Sequence, residues 1–233
     1  MILRLLALTA ATALAATALT GCVRIGPMTS ESPEIDDVTA VVLDTSGDLT
    51  ITEGDPALTI HAPEGVVDRL TATVRDGVLE LGRRPGIPFG FGRGEIRYDL
   101  TLRHLDAIEV NGSGDIASTV SGGDITIEIN GSGDVTVSGL DAEAIEVRIS
   151  GSGEVELEGR ADDLAVEIDG SGDADTDALE VRDARVVIGG SGDARLHVTR
   201  TLQVDISGSG SVRHRGGADV DADVSGSGDV EAD

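Results

Sequence analysis

The chain has 233 residues, a formal net charge of −26 and aromatic side chains at only 1% of positions, against 39% apolar residues overall and 32 glycines. That composition argues against a core built on large rings, which normally supply much of the buried area of a globular domain. The balance of 43 acids to 17 bases argues against nucleic acid as a partner, because the phosphate backbone would be repelled.

At the N-terminus, Arg4 precedes a short apolar stretch from Leu5 to Ala18, too short for a comfortable membrane span. Residues 1–22 therefore read as an export signal. The segment Leu19-Thr20-Gly21-Cys22 resembles the bacterial lipobox, in which the cysteine accepts a diacylglyceryl group and the peptide is cut just before it. Cys22 is the only cysteine, so no intramolecular disulfide can form. The implied cofactor is a covalent lipid at Cys22, and the implied location is membrane-anchored and extracytoplasmic. Residues 23–35, with Pro27, Ser30, Ser32 and Pro33, read as a tether.

Residues 36–107 are expected to form irregular first coils and a cap. Thr45-Ser46-Gly47-Asp48 is a degenerate corner, and strands are predicted near Leu49–Ile51, Leu58–His61, Leu70–Val74, Val78–Leu81 and Ile96–Leu102. Phe89 and Phe91 lie in a Gly- and Pro-rich loop, where they are expected to plug the end of an apolar column or form a contact site.

From residue 108 to 233 the chain repeats. Gly-Ser-Gly begins at Gly112, Gly131, Gly151, Gly170, Gly190, Gly208 and Gly226, at intervals of 19, 20, 19, 20, 18 and 18 residues. An acid follows six of the seven: Asp115, Asp134, Glu154, Asp173, Asp193 and Asp229, with Ser211 the exception. Between corners the sequence alternates with a period of two. Ile125, Ile127 and Ile129, then Ile145, Val147 and Ile149, then Leu164, Val166 and Ile168, then Leu202, Val204 and Ile206 share one phase. Thr126, Glu128, Glu146, Arg148 and Glu167 fall on the other, as do Thr136 and Glu156 in the shorter strands after the corners. Alternating β-branched residues are strand chemistry. Two short strands per unit, joined by glycine corners, make one coil of an all-β parallel solenoid whose coils bury an aliphatic column only by stacking. Glycine is expected at the corner for its access to positive φ.

The Asn-Gly-Ser-Gly-Asp corners at Asn111–Asp115 and Asn130–Asp134, with their later variants, resemble those of the head GIN domain family, an auto-transporter adhesin domain. The resemblance spans roughly residues 38–230. It implies a right-handed parallel β-helix on a secreted or lipid-anchored bacterial protein, and it brings no catalytic motif.

Three chemistries compete for the repeated acids. Asp115, Asp134, Glu154, Asp173, Asp193 and Asp229 are candidate cation contacts, and a calcium-loaded β-roll is one alternative, since two nonapeptides would make a coil of this length. Only one corner per coil carries the acid, however. A polysaccharide-acting enzyme is another alternative, yet His61, His104, His197 and His214 share no repeat position and no serine stands out as a nucleophile. The expectation is a non-enzymatic module that binds an envelope glycan or protein ligand, or acts as a scaffold. Oligomeric state is left open.

Overall fold

The computed structural model describes residues 26–84, 95–120 and 123–233. Cys22, its lipobox and the loop holding Phe89 and Phe91 lie outside the described residues.

The repeat strands are β8 (Ala107–Val110), β9 (Ile116–Ser118), β10 (Ile125–Ile129), β11 (Val135–Ile149), β12 (Glu154–Ile168), β13 (Asp173–Ile188), β14 (Ala194–Ile206), β15 (Val212–Arg215), β16 (Asp219–Val224) and β17 (Val230–Ala232). All pair in parallel with an adjacent coil. Their inward residues stack in columns. Leu43, Val110, Ile129, Ile149, Ile168, Ile188 and Ile206 form one column and are at most 1% exposed. Val224 ends the same column and is 40% exposed, because no rung follows it among the described residues. Burial of each such side chain contributes about 1.5–3 kcal/mol, so the fold is stabilised rung by rung.

The expectation of two strands per coil needs correction. β11 runs through three paired segments: Val135–Val137, Leu140–Ala142 and then Ala144–Ile149. The bend at Ser138-Gly139 puts Gly139 at φ 76°, and Leu140 and Ala142 are buried like the longer segments. Each full coil is therefore three-sided, with a short side of about three residues.

The reason given for the corner glycines also changes. No Gly-Ser-Gly glycine is among those with positive φ. Each is required instead by the rung beneath it. A Cβ on Gly131 would lie 1.9 Å from the carbonyl oxygen of Gly112, and one on Gly172 would lie 2.1 Å from that of Gly153 and 2.7 Å from Ile149 Cγ2. The same backbone contact bonds the rungs: Ser132 N–H donates to Gly112 O at 3.0 Å and Ser152 N–H to Gly131 O at 3.0 Å.

The N-terminal part is wound out of sequence order. β2 (Ala40–Leu43) pairs in parallel with both β6 (Val78–Arg83) and β8, and β3 (Asp48–Glu53) with both β7 (Arg97–Leu102) and β9. The first rung in sequence is thus the second in space. Beyond β6 and β7 the sheets turn antiparallel: β5 (Leu70–Arg75) closes on β6, while β4 (Ala57–Pro63) pairs with β7 and β1 (Met28–Glu31) pairs with β4. A single 3₁₀ turn at Val67–Arg69 leads into β5. These antiparallel strands form the cap at this end. Nine parallel levels result on each long side, roughly 40 Å at the usual strand spacing. No helix among the described residues is long and apolar enough to cross a membrane.

Candidate functional site

The corner acids form a ladder. Asp134 N–H donates to Asp115 Oδ1 at 2.9 Å, Glu154 N–H to Asp134 Oδ1 at 2.8 Å, Asp193 N–H to Asp173 Oδ1 at 2.7 Å and Ser211 N–H to Asp193 Oδ1 at 2.8 Å. Asp48, in the degenerate corner, accepts from Asp115 N–H at 3.4 Å and begins the series. Each carboxylate thus accepts the corner amide of the next rung, which offsets the repulsion expected of stacked like charges.

The ladder has two breaks. Glu154 is one methylene too long, and Asp173 N–H turns to the Gly153 carbonyl at 3.3 Å instead. Partial burial, with repulsion from Asp134, Asp173, Asp175 and Glu156, raises the Glu154 carboxyl above its ordinary range. The second break is Ser211, whose place below Asp229 lacks a carboxylate; Asp229 Oδ1 accepts from Val230 N–H of its own rung at 3.0 Å. Next to the acids runs a shorter amide ladder, in which Asn130 Nδ2 donates to Asn111 Oδ1 at 3.1 Å and Asn111 Nδ2 to Asp44 Oδ1 at 2.9 Å. No group of three or more His, Cys, Asp or Glu with metal-holding geometry occurs among the described residues.

Outward side chains make the second feature. Thr126, Glu128, Thr136, Glu146, Arg148, Glu156 and Glu167 all face away from the core, as their phase requires. On the long side carrying β10, a shallow groove of about 600 Å³ crosses five rungs. Ala144 and Ala165 form its floor between the larger Asp124, Asp163, Asp183 and Arg185. Arginines answer acids between rungs around the coil: Arg182 meets Asp162 at 3.1 Å by the short side, Arg195 meets Asp175 at 3.2 Å on the other long side, and Arg200 pairs with Asp183 beside the groove. The Arg182–Asp162 pair, with both partners exposed, contributes at most about 1 kcal/mol, whereas Asp183 is only 18% exposed.

The four histidines stay apart. His104 pairs with Asp106 at 2.6 Å, and His214 is buried with its Nδ1 lacking a partner. His61 makes the one arrangement that sequence did not anticipate: Ser30 Oγ lies 2.9 Å from its Nδ1 and Asp99 Oδ2 lies 2.9 Å from its Nε2. The residue types are those of a hydrolytic relay, but the ring nitrogens are exchanged, since there the serine meets Nε2 and the acid Nδ1. Ser30 also stands exposed on a short edge strand and Asp99 is half open to water, which competes for both bonds. What the bridge does do is tie β1 across β4 to β7.

Six of the seven stacked corners, those from Gly112 to Gly210, fall within a known domain. The family model described as "Putative auto-transporter adhesin, head GIN domain" covers residues 37–218. The chain belongs to this family. Solved structures share the fold of this head GIN protein: a "putative adhesin" of Bacteroides fragilis superposes with a TM-score of 0.83 at 21% identity, over 89% of this chain and 97% of the other. A "putative lipid binding protein" of Parabacteroides distasonis gives 0.72 at 22% identity, over 89% and 97%. A "putative adhesin" of the same species gives 0.69 at 23%, over 89% and 98%. At these identities the likeness is one of fold. No curated protein matches the sequence.

Proposed function

We propose that this head GIN protein is a non-enzymatic, lipid-anchored envelope protein whose solenoid serves as a binding or scaffolding module outside the cytoplasm. The observation that carries the reading is the groove over Ala144 and Ala165, an open strip lined by outward side chains of five successive rungs. Such strips suit extended ligands, because neighbouring rungs present their outward groups at a fixed spacing of about 4.8 Å. The adhesin names borne by the structural relatives point the same way. A lipid ligand, suggested by one relative's name, finds less support: the exposed large hydrophobics among the described residues are Met28, Val220 and Val224, at the two ends of the rod.

The anchor part of the proposal rests on Leu19-Thr20-Gly21-Cys22. Metabolic labelling with a palmitate analogue should mark the wild-type protein and not Cys22→Ser, which should leave the membrane fraction. Equal labelling of both would remove the anchor from the proposal. Calcium is not required to hold the corner acids, since most accept an amide hydrogen bond already. The melting temperature should therefore respond to calcium no more than to magnesium at matched ionic strength.

For the binding role, the test is capture from envelope extract and on a glycan array by the wild type and by a variant with Ala144→Arg and Ala165→Arg. Both alanines are exposed, so the variant should fold and the captured ligand should be lost. A ligand held equally by both proteins would move the site elsewhere. No ligand for either would leave scaffolding alone.

A further inference from the structure

Within the solenoid, four acids of one rung are answered by arginines of the next, while Arg148–Glu167 and Arg213–Glu231 run the other way. Arg160 approaches Asp141 at 4.0 Å, Arg182 meets Asp162, Arg195 meets Asp175 and Arg200 pairs with Asp183, each arginine standing one rung beyond its acid. At β16 the pattern runs out. Asp219, Asp221 and Asp223 face outward on one phase, and no basic residue occurs after Arg215. On the other phase, Val220 and Val224 are 41% and 40% exposed, although the residues beneath them in the columns, Leu202 and Ile206, are fully buried. β16 pairs with β14 on one edge only, so its other edge offers unpaired amides and carbonyls among the described residues.

We infer that the outer edge of β16 is a docking site for an extended segment of another protein that alternates basic and apolar residues. Added as a strand, such a segment would set its apolar side chains on Val220, Ala222 and Val224, continuing the interior columns. Its basic side chains would then stand over Asp219, Asp221 and Asp223, as those four arginines of inner rungs stand over their acids. Backbone hydrogen bonds supply affinity in strand addition and alternate side chains supply specificity. The occupant is not a second copy in C-end to C-end contact, since both edges would bring the same aspartates together. This deepens the binding role proposed above, but at the end of the rod rather than along the groove.

The probe is a dye-labelled octapeptide of alternating arginine and valine, compared with its block isomer of four arginines followed by four valines. Fluorescence anisotropy against the full chain should show the alternating peptide binding at least about tenfold more tightly, a difference of about 1.4 kcal/mol. Replacing Asp219, Asp221 and Asp223 together by Asn should bring it down to the block isomer. Asp141→Asn with Asp162→Asn, on the short side, should leave it unchanged. Hydrogen–deuterium exchange gives a second readout that does not depend on the variants folding: amides of 219–224 should gain protection on adding the alternating peptide. Equal binding of the two isomers, or protection elsewhere on the rod, would overturn the inference. So would sedimentation showing that the protein alone self-associates through this edge. Loss of groove-dependent capture in the alanine variant, by contrast, bears only on the lateral reading.

Discussion

The carboxylate of Asp134 accepts the backbone amide of Glu154, twenty residues further along the chain and one rung up, at 2.8 Å. Where the acid does not reach, the corner amide turns to a carbonyl, as Asp173 N–H does to Gly153 O at 3.3 Å, so an acid at this position gives the next rung's amide a shorter bond. That assigns the repeated acid a structural duty that can be measured.

Removing the acceptor should cost stability, and restoring a missing one should add it. Asp134→Ala should lower the unfolding free energy by about 1 kcal/mol, and Glu154→Asp, which shortens the side chain to the ladder's length, should raise it by about 0.5 kcal/mol. Urea unfolding followed by circular dichroism measures both. A gain in stability for Asp134→Ala would show that charge density, and not the amide bond, governs this corner.

Acidity gives an independent reading of Glu154. Its carboxyl is held above the ordinary range in the folded chain, first by burial and then by Asp134, Asp173, Asp175 and Glu156. A raised carboxyl favours folding only while protonated, so the contribution is present in acid and is lost as pH climbs through the folded value. Glu154→Gln should therefore melt higher than the wild type near neutrality, with the gap closing as the pH falls. A gap independent of pH would contradict this account.

Corner glycines should be intolerant for a reason of space alone. Gly172→Ala forces a methyl group to 2.1 Å from the Gly153 oxygen and should cost at least about 2 kcal/mol. Gly123 has nothing within 4 Å of its added Cβ, and Gly123→Ala should be near neutral. Thermal melts of the two variants side by side decide the matter.

His214 occupies the inward column of Leu196 and, further down, Thr176, with Nδ1 buried and unpartnered. His214→Leu should stabilise the last rungs by about 1 kcal/mol, since an unmet polar group is exchanged for an apolar one. Loss of stability would mean that the ring makes a bond the structure does not show.

Much of this was legible in the sequence because alternation fixes which way a strand residue points: Ile145, Val147 and Ile149 are buried, and Glu146 and Arg148 face out. The third side of the coil was not. Leu140-Asp141-Ala142 is too short to display a period, and although Ser138-Gly139 marks its first bend, Glu143-Ala144 at the second carries no turn signal. Corner acids could be located but not explained, since their partner amides lie eighteen to twenty residues away. The Ser30–His61–Asp99 bridge joins residues 31 and 38 positions apart outside any repeat, so no spacing signals it. Nor could alternation alone place β2 between β6 and β8, because all three strands share the same pattern.

That last placement sets an order of assembly. The first strand of the solenoid to be synthesised, residues 40–43, has both lateral neighbours only once residues 78–83 and 107–110 have arrived. Closing these long loops comes at an entropic cost before any contact repays it, whereas each later coil simply docks on a finished template. Deleting a Gly-Ser-Gly coil therefore shortens the rod, but damage between residues 54 and 106 deprives it of its seed.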